Sequence, residues 1–295
     1  MKILVTGTGG QLGHDVLCEL TGRGHTVIGT DVEEMDITDA LAVRRVMEEV
    51  RPDAVIHCAA WTAVDAAEED ENKEKVYRIN RDGTAHIAAM CRELDCKMMY
   101  ISTDYIFDGQ GSAPWLPDCR DYRPLNVYGQ SKLEGEKAVE EALSRFFIVR
   151  IAWVFGKNGN NFIKTMLRLG KKYDSLRVVN DQIGTPTYTF DLARLLADMI
   201  ETEKYGFYHA TNEGGYISWY DFAREIFAEA ASMGHEEYDN AHLHVQPVST
   251  EEYGVSKAAR PFNSRLDKSK LRDCGFTPLP EWKDALRRYL KEIEL

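Results

Sequence analysis

Short apolar runs alternate with longer amphipathic stretches through the first half of the chain. Residues 2–6 (KILVT), 26–30 (TVIGT), 54–58 (AVIHC), 97–102 (KMMYIS) and 146–151 (FFIVRI) are largely apolar on both faces, which predicts buried strands. Between them, residues 11–20 set Leu12, Val16, Leu17 and Leu20 on one helical stripe. Residues 40–50 form a helix that Arg51-Pro52 stops, and 76–93 and 128–143 read as further helices. Alternation of this kind predicts an α/β fold: a doubly wound parallel sheet, covered on both faces, with right-handed crossovers.

The second half is less regular. Residues 161–170, 191–201 and 218–233 read as helices, the last with Ser218 as its N-cap. Residues 177–180, 207–210 and 243–247 read as short strands, and 234–241 and 249–261 as polar connectors. The break in rhythm after residue 151 predicts a smaller C-terminal part.

Composition narrows the partners. The 295 residues carry 36 Lys and Arg against 48 Asp and Glu, a formal charge of −12. A chain of that charge has no basic footprint for a nucleic acid polymer and is repelled by anionic membrane surfaces. No 18-residue apolar stretch offers a membrane span, and the start, MKILVTG, has no signal-type apolar region, so a cytoplasmic protein is expected. Six scattered cysteines form no C-x-x-C pair and read as free thiols. His242 and His244 stand two apart, without an evident third metal ligand.

The first candidate chemistry directly follows the first strand. Gly7, Gly10 and Gly13 give the spacing G-x-x-G-x-x-G and open the first helix. Gly7 permits a tight turn, Gly10 admits a pyrophosphate at the helix N-terminus, and Gly13 allows close packing of helix on sheet. Asp31 ends the second strand, where a carboxylate commonly holds the adenosine ribose and favours NAD. Asp36 and Ile37 follow in a loop that can cap the adenine, and the third strand ends in Cys58-Ala59-Ala60-Trp61-Thr62, with small residues that leave room for a flat dinucleotide. A Rossmann fold is therefore expected.

Tyr128 and Lys132 stand four apart at the start of a helix, so hydroxyl and ammonium share one face. A tyrosine's ordinary pKa is about 10, and a neighbouring cation lowers it toward proton exchange at neutral pH. Thr103, closing the fourth strand, comes to the same rim of a parallel sheet and can hydrogen-bond a carbonyl oxygen. Glycine turn, strand-end hydroxyl and Tyr-x-x-x-Lys in this order fit hydride transfer between a nicotinamide and a carbonyl or alcohol, with Tyr128 as proton donor.

The chain resembles the extended short-chain dehydrogenase/reductases, and among them the dTDP-4-dehydrorhamnose reductase family. Ser102-Thr103-Asp104-Tyr105-Ile106-Phe107-Asp108-Gly109 resembles its S-T-D-Y-V-F-x-G block. Residues 124–136, PLNVYGQSKLEGE, resemble its P-L-N-x-Y-G-x-[ST]-K-x-x-G-E block. Asn160-Asn161-Phe162, the stretch Asn180-Asp181-Gln182-x-Gly184-x-Pro186-Thr187, and Arg260-Pro261-x-Asn263-Ser264 resemble later blocks.

The resemblance implies NADPH or NADH as cofactor, a dTDP-sugar as substrate, and reduction of a 4-keto group. It implies that Gly10, Gln11 and Leu12 cradle the pyrophosphate, Asp31, Asp36 and Ile37 flank the adenosine, and Ala60, Trp61 and Thr62 line the dinucleotide. Tyr128 and Lys132 would serve catalysis and the nicotinamide ribose, while Thr103, Asp104 and Trp153 would meet the sugar. Arg260, Asn263 and Arg265 belong either to a diphosphate site or to a solvated loop. On this reading residues 1–151 with about 174–211 bind the dinucleotide, and about 152–173 with 212–295 form the substrate domain.

Some members dimerise through an acidic contact associated with Mg2+; Asp15 and Glu292 are acidic candidates, Phe190 does not fit the pattern, and the metal set stays unknown. Both monomer and homodimer stay open. Two other readings remain: an epimerase or dehydratase of the same superfamily, and a dinucleotide-binding regulatory subunit without turnover.

Overall fold

In the computed structural model, which describes residues 1–293, the apolar runs assemble into one parallel sheet. The first half runs β1 (Lys2–Thr6), α1 (Gln11–Gly22), β2 (Thr26–Thr30), α2 (Ala40–Val50), β3 (Ala54–His57), α3 (Val64–Ala67), α4 (Asp70–Tyr77), α5 (Thr84–Glu93), β4 (Lys97–Thr103), α6 (Val127–Ala142) and β5 (Phe146–Ile151). The second half runs β6 (Val154–Phe155), α7 (Phe162–Gly170), β7 (Ser175–Val179), β8 (Ile183–Gly184), β9 (Thr187–Tyr188), α8 (Thr189–Ile200), β10 (Gly206–His209), β11 (Ile217–Ser218), α9 (Trp219–Ser232), β12 (His244–Val248), α10 (Thr250–Tyr253), α11 (Ser269–Asp273) and α12 (Trp282–Glu292).

The sheet has six strands in the order β10-β5-β4-β3-β1-β2, all parallel. Alternate side chains of each strand enter opposite cores. Ile3, Val5, Ile56, Met99 and Val149 pack with Leu12 and Val16 of α1 and Leu192 and Leu196 of α8. Leu4, Val55, Met98, Tyr100 and Ile148 pack with Val43 and Met47 of α2, Ile87 of α5 and Val139 of α6. All these residues are buried, and each aliphatic one contributes roughly 1.5–3 kcal/mol.

A charged pair sits inside the wall between α6 and β5. Arg150 grips Glu136 with two bonds, Nε to Oε1 at 2.9 Å and Nη2 to Oε2 at 2.8 Å. The guanidinium also donates to the Pro117 carbonyl and the Tyr122 hydroxyl, which ties down the loop after β4. The Gly135-Glu136 end of the family block is thus structural.

Two expectations change. The helix expected over 76–93 begins earlier and widens into a π-helical stretch at Arg78–Gly83 between α4 and α5. In the second half, only β10 joins the large sheet. Ser175–Val179, expected with the dinucleotide part, pairs in parallel with His244–Val248, because a separate core of α7, α9 and α12 offers its apolar residues Leu176 and Val178 a place to bury. That core includes Phe222, Ile226, Trp282, Leu286 and Tyr289. Ser218 caps α9 as expected, in a capping box with Asp221.

Candidate active site

The carboxyl ends of β1 to β5 open into a cleft of about 1060 Å³, the position that doubly wound sheets use for ligands. Its volume suits a dinucleotide with a second ligand beside it.

Gly7 turns the chain at φ +71°, and its N–H donates to the Thr30 carbonyl at 2.8 Å. A Cβ at Gly13 would stand 2.1 Å from the Gly7 carbonyl oxygen, so turn and helix pack backbone on backbone. Gly10 caps α1 without a side chain, leaving the first-turn N–H groups without a side-chain partner. Gly7, Gly10, Gln11, Leu12 and Gly13 all line the cleft, and together they make an anion cradle.

Asp31 stands at the next strand end. Its Oδ2 accepts the Gly9 N–H at 2.8 Å, which fixes the carboxylate beside the cradle. Asp36 accepts both the N–H and the hydroxyl of Thr38, and it lines the cleft with Ile37, Ala60 and Thr62. Trp61 lies outside the lining. Its indole N–H donates to Ala63, and its backbone N–H and carbonyl both bond to the Asn80 amide. Its main chain supports the wall while its ring points elsewhere.

The catalytic candidates meet on the opposite wall. Asn126 caps α6 by accepting the Gly129 N–H at 2.8 Å, which sets Tyr128 in the first turn. Lys132, one turn on, is buried, and its Nζ donates to the Ile101 carbonyl at 2.7 Å and lies 4.1 Å from the centre of the Tyr100 ring. Burial pushes the Lys132 pKa down to about 7. Burial also pushes the Tyr128 hydroxyl up, while the Thr103 hydroxyl beside it pulls the other way. The sequence pattern predicts a Tyr128 pKa lowered by Lys132; in the structure burial raises it instead, and the Thr103 hydroxyl offsets only part of that rise.

Thr103 accepts the Tyr105 N–H and donates to Asp104 Oδ1 at 3.1 Å. The other oxygen, Oδ2, is buried and makes no hydrogen bond of full geometry among the described residues, although the Ser264 hydroxyl acts on the carboxyl and lowers its pKa against the rise from burial. Burial raises the Asp104 carboxyl to about 6. An unpaired buried carboxylate oxygen at a cleft wall is an acceptor waiting for a ligand hydroxyl.

The chain matches the family model described as the RmlD substrate binding domain over residues 1–295. It belongs to the RmlD family. Among solved structures it is similar to the dTDP-4-dehydrorhamnose reductase of Clostridium acetobutylicum, with 41% identity over 100% of both chains and a TM-score of 0.92. It is similar also to the Bacillus anthracis dTDP-4-dehydrorhamnose reductase solved in complex with NADP, with 40% identity over 99% of both chains and a TM-score of 0.90. Among curated relatives, the dTDP-4-dehydrorhamnose reductase of Aggregatibacter actinomycetemcomitans is 39% identical over 97% of each chain.

Within this RmlD-family chain, the remaining candidates fall in different places. Trp153 lines the cleft near Thr103 and Tyr128. Arg260 lies outside the lining, giving Nη2 to Asp65 at 2.6 Å and Nη1 to the Tyr105 hydroxyl at 3.3 Å. Asn263 is buried, and its amide is spent on the Gln110 and Ala113 carbonyls and on Arg265. It shapes the loop rather than facing the cleft.

Sequence reasoning missed Asn80 and Tyr105. Asn80 lies in the π-helical stretch and joins the Trp61 backbone to the Ser131 hydroxyl, hence to the helix of Tyr128. Its spacing carried no signal. Tyr105 stands inside the matched block and packs edge-on against Tyr128, 5.5 Å between ring centres.

Asp15 and Glu292 accept from Thr189 and Tyr188 at the start of α8. Two carboxylates engaged by hydroxyls fall short of an octahedral magnesium set, and no trio of acidic, His or Cys side chains converges among the described residues. His242 pairs with Asp239 on an exposed turn.

Proposed function

We propose that this chain reduces the 4-keto group of dTDP-4-dehydro-β-L-rhamnose to give dTDP-L-rhamnose, the last step of dTDP-rhamnose synthesis, using NADPH or NADH. The observation that carries the reading is the meeting of Thr103, Tyr128 and Lys132 on one wall of a cleft whose other wall is the glycine cradle.

The α1 N-terminus from Gly10 to Gly13 holds the cofactor pyrophosphate, Asp31 its adenosine ribose, and Lys132 its nicotinamide ribose. Asp36, Ile37, Ala60, Thr62 and the Trp61 main chain border the rest of the dinucleotide. When bound, the cofactor supplies the hydride that becomes the new C4–H bond. Thr103 and Tyr128 hydrogen-bond the carbonyl oxygen, and Tyr128 gives that oxygen its proton as the C=O becomes an alcohol. Asp104 accepts a sugar hydroxyl through its unpaired Oδ2. Arg260, held by Asp65 and the Tyr105 hydroxyl outside the cleft lining, braces the loop beside the site, and Asn263 fixes that loop through the Gln110 and Ala113 carbonyls.

An epimerase or dehydratase of the superfamily restores its cofactor within each cycle. A dehydratase also needs a second carboxyl acid beside the strand-end pair, and the residue after Asp104 is Tyr105. We place the protein in the cytoplasm, as a monomer or homodimer; none of its described helices is long and apolar enough to cross a membrane.

The test feeds dTDP-4-dehydro-6-deoxyglucose and a 3,5-epimerase to the protein with each cofactor in turn. One NAD(P)H consumed per dTDP-L-rhamnose formed is expected. Sugar conversion without cofactor consumption would assign an epimerase or dehydratase, and no conversion with tight dinucleotide binding would assign a regulatory subunit.

A further inference from the structure

Trp153 holds a backbone conformation that its side chain disfavours, φ +52°, two residues beyond the end of β5. A non-glycine residue persists there only where its surroundings over-determine it. Two features do so. On one side, Gly184 leaves space that a side chain would fill: a Cβ there would lie 2.8 Å from Cε2 and 3.0 Å from Nε1 of the Trp153 ring. In addition, the Trp219 ring stacks on it, 3.7 Å between centres and 15° between planes. Gly184 and Trp219 are brought together because β8 pairs with β11, and α9 begins at the next residue under the Ser218 capping box. Phe162 backs Trp219 at 4.6 Å.

The indole N–H groups separate this pair from the other tryptophans. Trp61, Trp115 and Trp282 donate theirs to backbone carbonyls. Among the described residues, none accepts from Trp153, and Trp153 lines the cleft. A half-buried indole N–H with no partner, on a ring stacked by Trp219 and closely approached by Gly184, is a preset donor.

We propose that Trp219 is a positioning residue. It and Gly184 clamp Trp153 so that its ring and indole N–H meet the sugar of the nucleotide-sugar substrate. The inference rests on the reductase reading for the identity of that substrate. Because the clamp belongs to the second half of the chain and touches none of the cofactor cradle, it acts on sugar binding and leaves dinucleotide binding alone.

The experiment compares wild type with Trp219→Leu, Trp219→Phe and Gly184→Ala. It reads KM for the ketosugar, KM for NAD(P)H, and the circular-dichroism couplet that two stacked indoles produce. Trp219→Leu is expected to lose the couplet and raise the sugar KM roughly tenfold, the scale of one lost aromatic contact, with the cofactor KM within about twofold. Trp219→Phe keeps a ring on Trp153 and is expected to restore most of the sugar affinity. Gly184→Ala crowds the Cε2–Nε1 side of the ring and raises the same constant, which keeps the test decisive should Trp219→Leu fold poorly. An unchanged sugar KM in Trp219→Leu and Gly184→Ala, or equal rises in both KM values, overturns the proposal. Wild-type turnover in the same assay tests the reductase reading separately, and the wild-type couplet tests the stack whatever the substrate is.

Discussion

Lys132 donates to the Ile101 carbonyl at 2.7 Å, so the helix bearing Tyr128 is fastened to the strand that ends in Thr103. Thr103 and Tyr128, the two groups proposed to hydrogen-bond the substrate oxygen, therefore keep a fixed spacing. Replacing Lys132 with Met removes the fastening and the proposed ribose donor together. The expected result is a fall in kcat of about 10²-fold or more, with a raised cofactor KM, read by steady-state kinetics.

Asp104 sets a pH dependence. Its carboxyl, raised to about 6 by burial, carries a proton below that pH and is ionised above it. Only the ionised form keeps Oδ2 as an acceptor for the proposed sugar hydroxyl while Oδ1 accepts from Thr103. The sugar KM should fall as pH rises through about 6. In Asp104→Asn that step should vanish and the sugar KM should stay high at pH 8. A step of unchanged size in the variant would remove Asp104 from the sugar site.

Asp31 should shape the choice of cofactor. Its carboxylate, fixed by the Gly9 N–H, suits two ribose hydroxyls and repels a 2′-phosphate. Asp31→Ala is expected to raise the NADH KM by about tenfold and to leave or improve that for NADPH, moving the ratio of kcat/KM toward NADPH. Equal changes for both cofactors would contradict this.

The Arg150–Glu136 pair predicts a stability effect rather than a catalytic one. Glu136→Ala leaves a guanidinium buried at 0% exposure without its carboxylate. The expected loss is about 3–5 kcal/mol in denaturant unfolding. A variant that unfolds like wild type would show that the Pro117 and Tyr122 contacts suffice.

The first five strands could be read from the sequence because a parallel sheet covered on both faces needs continuous apolar runs, and the helices between them carry one-sided stripes. The glycine turn and the Tyr128–Lys132 pair were legible because close backbone packing and helical spacing fix their positions. The two-residue strands β6, β8, β9 and β11 carry no period to detect. The partner of Ser175–Val179 lies far along the chain, at His244–Val248, which local pattern cannot show. Helix α12 was readable in hindsight: Trp282, Ala285, Leu286, Tyr289 and Leu290 make a helical stripe within a highly charged segment. Asn80 and Trp219 reach the site only through neighbours, Ser131 and Trp153, so only the packed structure displays them.

Tyr128 is the proposed proton donor to the reduced carbonyl. Tyr128→Phe tests it most directly, with NAD(P)H oxidation in the presence of the ketosugar measured beside NAD(P)H binding. Turnover should fall about 10²–10⁴-fold, with cofactor affinity close to that of wild type. Turnover at the wild-type rate in Tyr128→Phe would contradict it.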